Sequence, residues 1–510
     1  MRLDYRQAVL ALILATGAAH GQEPEPQKPT AQMQAYLDAV ERAEAITDPR
    51  ERCLAYPALP GNDWLPGTAE ALCALMAEEI SLDEIEKTLD GEDGGKVLDE
   101  RYAALLASQF QPPAHRDRIF RAYDVFDHGE RAGRLAQRWV EQSPKSTYAR
   151  TARAWHLVDA GWEARGKARM KDTSAQRVQR MNELFAQAIP DLDFAMKKNP
   201  RLLPACDRLI AIGASSSDLA QRVGMQACLK ADAASYRVMS SLLWAEQPRW
   251  GGSLEGMRHL VAMARAREQD NPALGALRGN EMGQEASQHP ERAEMAPVLE
   301  QTARLSPSYL DATARAVKNL GRYWDSVMYA SQAIRFNPRS NMAYQDRARS
   351  LEMLNHLDRA LPDARRAEEL APKDGWGAYE LGSVLRRLKR FEEARAAFKR
   401  AMDDTDTRES ANEMICESYW LEQNVAAQAA CAKEMLAEFP RNGEAWRLLA
   451  LALKDLGDPG AHDAAERFLA FADPANWTNH AYFVDYIKGW LASKPKPKAA
   501  TQAAPANGAK

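Results

Sequence analysis

Apolar residues along this chain recur at helical spacing and do not alternate. Between Gln32 and Ile46, Met33, Leu37, Val40 and Ala43 fall three or four residues apart, the stripe of one helix face. Cys53 opens a stretch holding Pro57, Pro60, Gly61 and Pro66, read as a long loop before a helix over Thr68–Glu79. Ser81-Leu82-Asp83-Glu84 has the form of a capping box, which predicts a short helix behind it. Asp90 to Gly95 is acidic and glycine-rich and is read as a solvated turn, because it lacks the fixed ligand spacing and distal Glu of a calcium loop. Further helices are expected over Leu98–Ser108, Ala114–Phe126, Glu130–Gln142, Thr147–Arg165 and Gln176–Lys198, the last two separated by an insertion near 166–175. Then come Leu202–Gly213, Asp218–Lys230, Ala233–Glu246 and Ser253–Arg267, and a degenerate pair over 273–306. No stretch alternates apolar and polar residues with β-branched enrichment for long enough to make a strand, so the expected fold class is all-α.

From Pro307 to Asn476 the pattern becomes periodic. Five blocks of 34 residues start at Pro307, Asn341, Gly375, Glu409 and Gly443, with no insertion or deletion. Position 32 reads Pro338, Pro372, Asp406, Pro440 and Pro474; proline there ends the second helix of each block. The third block carries Leu381, Gly382, Leu385, Ala394, Phe398 and Ala401, the second Tyr344, Ala348, Leu351, Ala360 and Ala367, the fifth Trp446, Leu449, Ala450 and Leu453. In period and in these residues the chain resembles the tetratricopeptide repeat, a hairpin of two antiparallel helices. Small residues at positions 8 and 20 of that repeat let the two backbones approach. Ser326, Gln428 and His462 depart at position 20, so looser packing is expected there. The resemblance implies an α-solenoid of stacked hairpins over 307–476, with 32–146 as an N-terminal helical region, 147–306 as irregular hairpins, and 477–493 as a capping helix. Residues 494–510 are a Lys/Pro/Ala tail.

Composition changes this picture little. Of 510 residues, 45% are hydrophobic and 27% charged, a globular balance, and the net charge of −4 offers no basic excess for nucleic acid. The N-terminus adds more. Arg2 and Arg6, the apolar run Ala8–Ala15 and the small residues Ala19 and Gly21 read as a secretory signal with cleavage after Gly21, followed by a proline-containing linker over 22–31. No other run is long enough to span a membrane, so the expected location is periplasmic or secreted. The six cysteines form sequence-local pairs, Cys53 with Cys73, Cys206 with Cys228 and Cys416 with Cys431, and none is in a CxxC motif. In the repeat frame Cys416 and Cys431 occupy positions 8 and 23, opposite one another about the hairpin turn, so the third pair has the clearest disulfide geometry.

Catalytic patterns are absent. HExxH, GxSxG and the P-loop do not occur, the nine histidines are scattered, and no cofactor or metal is expected. The reading is therefore a non-enzymatic scaffold that binds a protein or peptide. An inhibitor of one enzyme, or an enzyme with a site in 147–272, remains the alternative. By the tetratricopeptide resemblance, positions 2, 5, 9, 12 and 13 line the concave groove. They give Asp311, Arg315, Lys318 and Asn319, then Gln345, Arg349 and Glu352, then Trp376, Tyr379, Arg386 and Arg387, then Glu413, Glu417 and Trp420, then Arg447 and Lys454. Arginines beside aromatics suit an extended peptide with acidic groups and an apolar anchor. A second candidate is Trp162 and Arg165 in Gly161–Gly166 together with Arg249 and Trp250 in Pro248–Ser253, since planar cations and aromatics recognise anions and peptides. These two stretches and the helix after the insertion are similar to an uncharacterised bacterial domain family that occurs with tetratricopeptide-like helices and has no established activity.

Overall fold

In a computed structural model the described residues are 27–77, 79–111, 117–166, 172–472 and 480–494. The expected signal segment, most of the insertion and the tail lie outside them. Among the described residues there is no strand, and every long element is a helix. No described helix is long and apolar enough to cross a membrane. The chain forms two compact units, one over 28–338 and one over 339–510 with residue 27 added. The boundary falls between the first and second 34-residue blocks, so block one belongs with the irregular hairpins.

The larger unit begins with α1 (Ala31–Glu44), α2 (Pro49–Ala55) and α3 (Thr68–Ala74). Helix α2 is not among the helices expected, and its last residues, 53–55, fall in the stretch read as loop. Asp48 caps it, accepting from the Glu51 amide at 2.7 Å, and Pro49 stands in its first turn, where a missing N–H costs nothing. Helix α3 stops at Ala74, short of Glu79. The capping box at Ser81 and Glu84 forms as expected and starts α4 (Leu82–Asp90). The acidic, glycine-rich stretch is an exposed turn over 91–93 as expected, but Gly94 and Gly95 are buried in the first turn of α5 (Gly94–Ser108). A Cβ on Gly94 would sit 2.1 Å from the Thr88 carbonyl, so these glycines serve close packing. The next helices are α6 (Arg118–Tyr123), α7 (Glu130–Gln142), α8 (Thr147–Arg165) and α9 (Ala175–Lys198). Tyr102, Phe120, Tyr123, Phe126, Trp139 and Trp155 bury their rings between α5 and α8. Helices α8 and α9 pair closely because Gly161 admits the Phe185 ring.

Helices α10 (Leu203–Ser216) and α11 (Asp218–Asp232) form the hairpin closed by Cys206–Cys228. Then come α12 (Tyr236–Ala245), α13 (Leu254–Arg265), α14 (Asn280–Gln288), α15 (Ala296–Leu305), α16 (Leu310–Asn319) and α17 (Tyr323–Phe336). The N-terminal segment folds back on this end of the unit. Tyr36 Oη donates to the Met328 carbonyl at 3.3 Å, Trp64 Nε1 to the Ala303 carbonyl at 2.8 Å, and Arg335 Nε to the Cys53 carbonyl at 2.9 Å.

The smaller unit holds α18 (Asn341–Met353), α19 (Leu357–Leu370), α20 (Gly375–Arg387), α21 (Phe391–Ala401), α22 (Arg408–Leu421), α23 (Val425–Glu438), α24 (Gly443–Leu456) and α25 (Ala461–Phe471), closed by α26 (His480–Ser493). They pack as successive antiparallel hairpins. Gly382 shows why position 8 is small, since a Cβ there would lie 2.7 Å from the Phe398 ring. Position 20 tolerates more than expected: Ser326 and Gln428 are buried at the crossings, and Gln428 Nε2 donates to the Leu448 carbonyl of the next hairpin at 2.8 Å. All five blocks close with one turn. The residue at position 15 has φ between 61° and 75° in Gly321, Asn355, Lys389, Gln423 and Gly457. Its amide donates to the carbonyl at position 12, and the following amide to the carbonyl at position 11, the Schellman pairing.

The three disulfides join Cys53 to Cys73, Cys206 to Cys228 and Cys416 to Cys431, with Cα separations of 5.4, 5.5 and 5.4 Å. Three such bonds and no free cysteine mark a protein of an oxidising compartment.

Candidate binding surfaces

In the smaller unit the first helices of the hairpins, α18, α20, α22 and α24, present one polar face. Tyr379 is at its centre. Its ring packs edge-on against Trp376 at 5.7 Å and against the buried Phe398 at 5.6 Å. Burial pushes the Tyr379 hydroxyl up to about 12, against the pull of Arg349 and Arg386. Both guanidiniums are already paired: Arg349 Nη1 lies 2.5 Å from Glu352, and Arg386 Nη1 lies 3.1 Å from Glu417. Arg387 holds the Glu352 carbonyl and donates to Asn355 at 2.7 Å. The basic groove expected from sequence is therefore a ladder of paired charges. Two donors on it lack acceptors, Gln345 Nε2 and Arg386 Nε. Trp376, in the first turn of α20, is 49% exposed and touches only Tyr379 among the ring contacts of the described residues. Glu413 accepts from Asn442 at 2.5 Å, and burial pushes its carboxyl up to about 7.

The far end of this face is closed. Arg447 is 1% exposed, its guanidinium 4.3 Å from the Phe483 ring centre and 5.3 Å from that of Trp420. Lys454 lies under Tyr486. Phe483 and Tyr486 belong to α26, so the closing helix covers Trp420, Arg447 and Lys454. These three are corrected from groove residues to core and cap residues. Arg315 and Lys318 are half-buried on α16 of the larger unit.

In the larger unit the second candidate set comes together across about 90 residues of chain. The rings of Trp162 and Trp250 meet at 5.4 Å, and Trp244, overlooked in the sequence, completes a triangle at 5.3 and 5.0 Å. Arg165 is 4% exposed and places its guanidinium 5.2 Å from the Trp250 ring and 5.7 Å from Trp162. It donates to the Gly166 carbonyl at 3.0 Å, while its Nε has no acceptor. Arg249 is exposed and lies 5.3 Å over Trp250. Its pKa is lowered by partial burial and by Arg165, with the nearby Tyr309 opposing. The cluster is mostly a packed core, with Arg249 at its edge. Beside it lies a cavity of about 420 Å³, walled by Trp244, Gln247, Tyr309, Arg121, Arg237 and Tyr236 among others. Sequence reasoning had no route to this cavity, because its residues run from Leu72 to Phe336 without a local motif.

No family model matches the chain, over the repeats or over 147–272. Among solved structures it is similar to the APC/C hetero-tetramer Cut9–Hcn1 at 12% identity, over 82% of this chain and 96% of that one, with a TM-score of 0.33. It is similar to the P58(IPK) TPR domain at 13%, over 78% and 99%, with a TM-score of 0.24, and to yeast Tom70 at 11%, over 78% and 93%, with a TM-score of 0.33. Likenesses at this level say nothing of partner or role. The deciding feature is internal: five hairpins in unbroken 34-residue register, each closed by the same turn. The fold is that of a tetratricopeptide-type α-solenoid. In tetratricopeptide terms, Gln345, Tyr379 and Glu413 stand at position 5 of blocks two to four. Block five departs, because its position 5, Arg447, is sealed by the capping helix.

Proposed function

We propose that this protein is a non-enzymatic scaffold of the periplasm or extracellular space that docks a protein or peptide on the inner face of its tetratricopeptide array, between α18 and α22. Trp376 carries the reading. A large aromatic half-exposed on an otherwise charge-paired face is the usual anchor of a docking surface. Gln345 Nε2 and Arg386 Nε, donors without acceptors on the same first helices, suit the carbonyls or carboxylates of an extended segment. The arginines serve alignment, since each is internally paired, and the apolar anchor supplies most of the affinity. The three disulfides and the N-terminal charge-then-apolar pattern support export.

The test is capture from an envelope extract with wild type and with Trp376→Ala. This variant removes one ring contact and leaves the ion pairs in place. A partner held by wild type, weakened about tenfold or more by the variant and recovered by Trp376→Phe, supports the reading. If every captured protein binds Trp376→Ala as well as wild type while its circular dichroism stays helical, the face is not the site.

A further inference from the structure

The cavity in the larger unit has its own unmet chemistry, independent of the repeat face. Gln247 is 9% exposed, lines the cavity, and its Oε1 has no donor. Arg121 also lines it, and its Nε has no acceptor. A buried polar atom left unpaired costs free energy, so a native fold retains one where something else completes it. Here the two deficits are complementary: one site lacks an N–H, the other lacks an anion or carbonyl.

Arg121 and Arg237 meet at one carboxylate, Asp124, at 2.9 and 3.1 Å, while Asp207 and Asp117 also act on Arg237, so the charge is balanced and the unmet need on this side is the Arg121 Nε donor. Asp117, the acidic group in the wall, is already saturated. It accepts from the Ser235 hydroxyl at 2.5 Å, the Tyr236 and Arg237 amides at 2.8 and 3.3 Å, and Gln109 at 3.4 Å. Arg249, without an ion-pair partner among the described residues, adds positive charge beside Tyr309 of the wall. The remaining wall is largely apolar and aromatic, including Leu243, Leu277, Tyr236, Trp244 and Phe336, with Ser240, Asn280 and Ser308 as its other polar members.

We propose that this cavity binds the free carboxyl-terminal end of a peptide. The carboxylate would meet the guanidiniums of Arg121 and Arg237, the last peptide N–H would meet Gln247 Oε1, and the terminal side chain would lie against the apolar wall. A volume of about 420 Å³ suits one or two residues. Bidentate guanidinium–carboxylate pairing supplies orientation, and the single unfilled acceptor distinguishes an acylated residue from a plain organic acid.

The probes are acetyl-Ala-Phe with a free carboxylate, its C-terminal amide, and phenylpropionate, each titrated by calorimetry against the full chain, with Trp fluorescence reporting on Trp244. The free acid is expected to bind, with the amide and phenylpropionate weaker by about tenfold or more. Arg121→Gln and Gln247→Leu should each weaken the free acid by a similar factor. Because Arg121→Gln also loosens Asp124, Ser240→Phe serves as a second variant that fills the cavity and leaves that pair intact; it should abolish binding. Equal binding of acid and amide, unchanged binding by Ser240→Phe, or no binding of the acid at millimolar concentration each overturns the proposal. Phenylpropionate binding as tightly as the peptide acid would assign the cavity to simple aromatic acids and overturn the peptide-end assignment.

Discussion

At Glu413, burial among other carboxylates decides the protonation state. Desolvation raises its pKa to about 7, Asn442 opposes by donating to it, and Glu444, Glu409 and Glu417 add to the rise. Of these, Glu417 is offset by Arg386 and Glu444 by Arg447. Tyr379 faces the same space from α20. The sign follows from linkage. The folded carboxyl holds its proton more tightly than the unfolded one, so its stabilising effect is complete below about pH 4.5 and is lost as pH rises through about 7. Glu413→Gln keeps an acceptor for Asn442 and cannot ionise. It should raise stability at pH 8 by about 1–2 kcal/mol and leave stability at pH 4 little changed. Urea midpoints at the two pH values check this. An equal shift at both would mean packing, not charge, is responsible. Sequence names Glu413 as a groove position but does not show its pKa, because burial, the main cause, and Glu444 of α24 come to it only in the fold.

The repeating turn is the element that sets each hairpin. A residue at positive φ lets the first helix end in the Schellman pairing and delivers the chain to the second helix. Gly321, Asn355 and Gly457 suit that conformation; Lys389 and Gln423 adopt it against side-chain preference. Gln423→Gly should therefore stabilise the protein by about 0.5–1 kcal/mol, read as a higher thermal midpoint. A lower midpoint would show that the Gln423 side chain contributes more than the strain removes. The 34-residue register, the prolines at position 32 and the small residues Gly382, Ala360 and Ala394 were all legible, because each states a local requirement. The turn at Lys389 and Gln423 was not, because there the neighbouring helices impose what the residue does not favour. Helix α2 ends inside the stretch read as loop from the prolines after Cys53, although Asp48 and Pro49 form a local start signal for it. At the binding face the residues were legible and their state was not. Sequence named Arg349 and Arg386 but could not show Glu352 and Glu417 neutralising them, nor α26 sealing Arg447.

Within each unit, stability is built from hairpins that rest on their neighbours, and three of the helix pairs are also joined by a covalent bond. Each closes a short loop, worth about 3 kcal/mol in the chain-entropy model. Two belong to the larger unit and one to the smaller. Each bond joins two cysteines that are consecutive along the chain, first with second, third with fourth and fifth with sixth. This ordering bears on how the protein is made. A chain threaded amino-terminus first into an oxidising space presents Cys53 and Cys73, then Cys206 and Cys228, then Cys416 and Cys431. An oxidase that joins thiols in order of arrival writes the native map directly, and an isomerase has no wrong pair to repair. The partners are also near in sequence, 20, 22 and 15 residues apart, so the reduced, denatured chain should regain all three native bonds during slow reoxidation without isomerase, as non-reducing peptide mapping would show. Persistent bonds between different hairpins would instead mean that nearness along the chain does not select the partners and that order of arrival is needed.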